Sequence, residues 1–328
     1  LGDAPTPTDR GRVEALIDLA TDWTRDGRRL IAGHGEAAET DAARTLRQRT
    51  TSEIAGLYVD GLVYGLGTGG WLATLADADS AAGYILPALL FAGTATAGIA
   101  IADVKADAFG YGVPRTISAG LRVGLMEGVA WTLWHEAAAA DGDGWSRETV
   151  TTVIWLGPTV GGAIGAVVGH RFSPTPGAAA MVESGALWSA LFAGMGVAAL
   201  VADDDQADDA FMLAAALALN VGAAGGAVLA GVTEPSAARV RFLDLGALAG
   251  GLTFGGLYLS IADEDSDSQV GFGITALGIG TGLATAWLLT DGMARDPFLG
   301  PAPEAGATSH LMLLPVEGGG EVGLAGMF

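Results

Sequence analysis

The chain has 328 residues, half of them apolar and only 16% charged, and glycine alone accounts for 52. Sixteen basic residues against 37 acidic ones leave a formal charge of −21, which argues against a nucleic-acid partner, since such a partner needs a basic face. Cysteine is absent, so disulfides and thiolate-held metals are excluded. The four histidines, His34, His135, His170 and His310, form no ligand-spaced pair.

Residues 1–50 differ in texture from the rest. From Arg12 to Leu30, Val13, Leu16, Ile17 and Leu19 gather on one side and Arg and Asp on the other, which predicts an amphipathic helix. Thr8 or Asp9 stands where an N-cap would. A second short helix is expected over 36–49, after Gly33 and Gly35.

Between 51 and 292 the chain becomes apolar, and eight helices are expected near 53–76, 81–103, 115–137, 148–169, 177–202, 208–231, 237–262 and 268–290. Ala81–Ala102, Thr149–Gly169, Ala210–Thr233 and Ser268–Thr290 carry no charge over the roughly 20 residues that a bilayer crossing needs. Gly124, Gly185 and Gly246 recur at a period of 61, each two positions after a charge: Arg122, Glu183 and Asp244. A period of that length marks a copied supersecondary unit, so the fold class is an all-α membrane bundle of four helical hairpins. Small residues at helical spacing (Gly61/Gly65/Gly69, Gly120/Gly124/Gly128, Gly161/Gly165/Gly169) let helix backbones approach closely in lipid. Outer-membrane strands would alternate polar and apolar residues, and Ala214–Leu219 and Ala97–Ala102 do not. A soluble helical repeat is the other alternative. Its difficulty is Phe211–Val232, which has no polar face beyond Asn220.

The tail, 293–328, opens with Pro297, Pro301 and Pro303 as an extended linker. Leu311–Val316 and Glu321–Phe328 then read as a short β-hairpin.

The turns fall into two chemical sets. Those after odd-numbered helices are acidic: Asp77/Asp79, Asp141/Asp143, Asp203/Asp205 and Asp263/Asp265. Those after even-numbered helices hold Lys105, Arg115, Arg171, Arg239, Arg241 and Arg295. Basic residues collect on the untranslocated side of a membrane, so the bilayer itself is the first expected partner. The acidic turns offer oxygen ligands suited to weak Ca²⁺ or Mg²⁺ binding. A solvated acidic rim is the plainer reading, because Asp263, Asp265 and Asp267 are followed by Ser268 where an EF-hand loop requires glycine. No firm metal or cofactor site is expected.

Asp60, Arg122, Glu127, Glu183 and Asp244 lie inside apolar segments, where a charge is costly and faces the bundle interior or a water-filled cavity. Either they interlock neighbouring hairpins, with Arg122 neutralised by Glu183 or Asp244, or they line a central pathway. Pro87 and Pro158 interrupt two helices, as kinks or as broken-helix sites. The Gly65–Gly70 run lacks the preceding strand and downstream acid of a dinucleotide site. No nucleophile triad, phosphate loop or metal cluster stands out, so no enzyme is expected.

The Pro-turn followed by Ser184–Ala190, and the closing Gly318–Phe328, resemble a Gly/Ala-rich helical-hairpin repeat of exported proteins from myxobacteria-like Gram-negative bacteria. The closing segment is also similar to the terminal-aromatic signal of outer-membrane barrels. The resemblance covers about 52–328 and implies export, with the outer membrane favoured over the inner. The expected role is a structural, scaffolding or pore-forming element, as a homo-oligomer or as part of an envelope complex. A transporter or channel and a soluble interaction scaffold are the alternatives.

Overall fold

The computed structural model describes residues 49–105, 108–139, 143–201, 207–263, 266–293, 295–296, 310–316 and 319–325, together with Asp18 and Thr21. The two expected N-terminal helices and the proline-marked linker lie outside the described residues. So do Asp141, Asp203, Asp205 and Asp265 of the acidic turns.

Eight helices make up the body: α1 (Thr51–Leu75), α2 (Ala81–Ala100), α3 (Val113–Ala138), α4 (Arg147–Phe172), α5 (Pro176–Leu200), α6 (Ala207–Thr233), α7 (Ala237–Ile261) and α8 (Ser268–Leu289). Local chemistry sets their starts. Thr50 and Glu53 form a reciprocal capping box on α1, and Ser80, Ser146, Thr175, Ser236 and Asp267 each accept a first-turn backbone N–H. Such caps satisfy donors that the helix itself leaves free. Prolines occupy the first turns of α3 and α5, where their missing N–H does no harm. Pro87 and Pro158 lie within α2 and α4, which run through them unbroken.

Among the described residues, six helices are long and apolar enough to cross a membrane: α2 with its π turn Ile101–Lys105, α4, α5, α6, α7 and α8. Of the eight expected spans, α1 and α3 fall short. Asp60, two tyrosines and a run of glycines dilute α1, while Arg115, Arg122, Glu127 and Glu136 sit in α3. α3, with four, has more charged side chains than any other of the eight helices.

Successive helices pair: α1 with α2, α3 with α4, α5 with α6, and α7 with α8. Each odd helix also packs on the next odd helix, and α4, α6 and α8 each touch the odd helix of the preceding pair. The result is two layers. The odd helices stand side by side in a row, and the even helices settle into the grooves between them. The row is open, with no comparable packing between the first pair and the last.

Glycine makes the layers close. A Cβ on Gly65 would run into the backbone of Phe91 and Ala92, and one on Gly69 into Pro87. Further along, a Cβ on Gly124, Gly185 or Gly250 would overlap the carbonyl oxygen of Gly157, Gly222 or Gly278. Helices this close gain dispersion contacts over their whole length, which is the main attraction available where lipid is as apolar as leucine. The backbone of His310–Val316 pairs antiparallel with Gly319–Ala325, Leu313 opposite Val322.

Candidate functional site

The charge two positions before each recurring glycine acquires a meaning in the fold. Two residues turn about 200° around a helix. Gly124, Gly185 and Gly246 face the even layer, against Gly157, Gly222 and Gly282, so Arg122, Glu183 and Asp244 point to the opposite side of the row. On α3 the spacing of Arg115, Arg122, Met126, Val129 and Leu133 places all five on that side.

The charges meet across helices there. Arg122 donates from Nε to Asp60 Oδ1 of α1 and from Nη1 to Glu183 Oε1 of α5, both at 3.0 Å. Arg115 donates to the other oxygen of Glu183 at 2.6 Å. Asp244 of α7 accepts from Ser184 Oγ at 2.5 Å and from Trp188 Nε1 at 2.8 Å. One polar seam thus links α1, α3, α5 and α7. Asp60 and Arg122 stand nine residues into their helices, and Glu183 and Asp244 stand seven into theirs. At 1.5 Å per residue these four lie about 10–14 Å from the basic end, while Arg115, two residues into α3, reaches up to Glu183 from about 3 Å in.

Within the seam, Arg115 and Arg122 balance Asp60 and Glu183. Asp244 has hydrogen-bond donors but no cation among the described residues, and Asp60 Oδ2 is buried without a partner. Arg122 is neutralised by Asp60 and Glu183, and Asp244 is not among its partners. Glu127 stands apart from the seam. Five residues past Arg122, it turns to the α6 side, takes the Trp131 indole N–H at 2.8 Å and has the Asn220 amide beside it.

Neutral contacts tie α1 to α4: Trp71 Nε1 to Thr152 at 3.0 Å, Trp155 Nε1 to Thr68 at 2.8 Å, and Tyr64 to Thr159 at 2.9 Å. At the basic end, Arg239 is buried over the Trp287 ring, 4.6 Å from its centroid, and donates to Thr290. Arg49 pairs with Asp103. Asp296, beyond α8, accepts from Gly177 N at 2.8 Å and Ala237 N at 3.2 Å, so one carboxylate oxygen serves the starts of α5 and α7. Burial pushes its pKa up, against the smaller opposing pull of those two backbone donors. Burial also pushes the Tyr111 phenol up, helped by the Asp296 and Glu53 carboxylates. The sequence carried little sign of Asp296 beyond its place one 61-residue period after Pro235.

At the acidic end, Asp77, Asp79, Asp143 and Asp263 are exposed, and no group of three or more metal-capable side chains forms among the described residues. His135 stacks on Trp145, with ring centroids 3.9 Å apart. Comparison of the chain with protein-family models, curated proteins and solved structures finds no match.

Proposed function

We propose that the chain is an integral membrane protein, a two-layer slab of four copied hairpins that serves as a structural element of a cell-envelope assembly. The carrying observation is that Asp60, Arg122, Glu183 and Asp244 lie at one level of successive odd helices, Arg122 pairing with Asp60 and Glu183, and Asp244 accepting from Ser184 and Trp188, all across helix boundaries. A conducting path needs polar groups stepped along the membrane normal. A seam at constant depth instead runs sideways, which suits a lock between neighbours. α1 and α3 cross the membrane with the rest, their charges faced by protein. The acidic turns form a solvated rim, the strands His310–Val316 and Gly319–Ala325 form a hairpin, and the role is not enzymatic. The resemblance of Ser184–Ala190 and Gly318–Phe328 to exported proteins favours the outer membrane.

Separation of inner and outer membranes followed by alkaline carbonate extraction tests this directly. The protein stays in the pellet if the proposal holds, and a stable soluble monomer defeats it. Reconstituted vesicles are expected to show no ion or small-solute flux. Flux abolished by Glu183→Gln would replace the structural role with a transporter.

A further inference from the structure

The even layer and the odd layer present different outer faces. Leu156, Val160, Ile164 and Val167 of α4 form an exposed apolar strip, as do Leu217, Val221, Val228 and Val232 of α6. Lipid suits both strips. α4, α6 and α8 fill the grooves on one side of the odd row, and none of the eight helices fills those on the other. On that open side the charges differ from groove to groove. Between α1, α3 and α5, Arg122 is held by Asp60 and Glu183, and Glu183 has both oxygens taken by Arg115 and Arg122. Asp244 of α7 has no such cation among the described residues. Both of its hydrogen bonds, from Ser184 and Trp188, end on Oδ1. Its Oδ2 accepts none among the described residues and, unlike Oδ2 of Asp60, is not sealed inside the bundle. Arg241, one turn nearer the basic end of the same helix, is exposed and does not pair with it. A side chain of that length reaches the headgroup level instead.

We infer that the groove between α5 and α7 on the odd face receives a membrane helix of another envelope protein, one that carries a single arginine or lysine at the depth of Asp244. The inference deepens the structural role proposed above and rests on it. Charge fixes both the place and the occupant. A carboxylate about 10 Å inside the basic end is costly in lipid unless a cation meets it. A spanning helix brings that cation to the right depth with its own backbone satisfied. Leu187 and Leu191 of α5 and Leu248 and Leu252 of α7, all exposed, continue the same side towards the acidic end. They give the rest of such a helix an apolar bed. The neighbouring groove beside α3 refuses the same helix, because Arg122, 40% exposed, repels its cation at that level. Attraction at Asp244 and repulsion at Arg122 together select one groove.

The absence of cysteine gives a clean test with the full chain in bilayers. The probe is a synthetic Leu/Ala helix of about 21 residues. It carries one Arg about seven residues from its basic-side end and one Cys a turn further on. Leu248→Cys, one turn past Asp244, is expected to form a mixed disulfide with it, since that bond needs Cα atoms within about 7 Å. Replacing the probe's Arg by Leu should lower the yield roughly tenfold, and so should Asp244→Asn in the Leu248→Cys chain. Asn keeps Oδ1 for Ser184 and Trp188, so the packing survives the change. Glu127→Gln, which removes a carboxylate on the α6 side, should leave the yield unchanged. Val160→Cys on the even face should not bond the probe. In membranes that resist carbonate, the docking groove is overturned if the Arg probe fails to bond or bonds no better than the Leu probe. An unchanged yield with Asp244→Asn, or Leu248→Cys bonding only a second copy, overturns it as well. Release by carbonate would instead remove the membrane reading, and the groove with it.

Discussion

The odd and even helices use glycine and alanine in similar measure yet do opposite things. The even helices keep their charges at their ends and in the π turn after α2, and their outer faces are leucine, isoleucine and valine. The odd helices hold the interior charges and place them where neighbouring helices can answer them. Placement of charge, not hydropathy alone, separates the layers: α5 and α7 are apolar enough to span a membrane, as the even helices are, yet carry Glu183 and Asp244. α3, packed by α1, α4, α5 and α6, can afford Arg122 because Asp60 and Glu183 flank it.

The largest break in that contrast should come from Arg122→Met. It leaves Asp60 without its cation, and unfolding in detergent is expected to move by about 3 kcal/mol. Val160→Ala on the even face should stay within about 0.5 kcal/mol, and equal losses would mean that the layers are not distinct. Glycine gives the next test. Gly124→Val and Gly185→Val drive side chains into backbone carbonyls across the layer boundary, for an expected loss of about 2 kcal/mol. Gly93 and Gly225 of the even layer have open space where a Cβ would go. Alanine at either should be neutral or stabilising, up to about 1 kcal/mol, by the same unfolding measurement.

A smaller effect is expected from pH. The pKa of Asp296 is raised in the fold, so its share of stability is full at pH values below the ordinary 3.8 and is lost as pH climbs through the raised value. Asp296→Asn keeps an oxygen for the Gly177 and Ala237 N–H groups and should lack that slope in melting temperature. Smallest of all, Trp71→Phe removes one neutral bond between α1 and α4, worth about 0.6 kcal/mol in a membrane protein.

The helices themselves were legible in the sequence. Runs of apolar residues stop at Asp, Pro or Ser caps, and the eight expected ranges fall within a few residues of α1–α8. Pairing was legible too, since glycines four apart become the crossing points of α3 with α4 and of α5 with α6. The seam was only half visible. Its members stood out as charges in apolar runs, but partners depend on which way each helix face turns. Glu127 therefore sat with the seam in the sequence and away from it in space. Arg115 read as a flanking charge, yet it reaches Glu183. Asp296 caps two helices from 119 and 59 residues away, a relation that no local spacing carries.

The open row also sets how the molecule comes apart. Each pair holds only its neighbours, so the energetics are nearly one-dimensional. Traction on one end would peel helices off in order, in steps of similar height, rather than rupture a single core. The α1–α2 end has Arg122 to let go of, whereas the α7–α8 end must first free the Asp296 carboxylate from α5. The two ends of a nearly regular object would therefore yield at different forces.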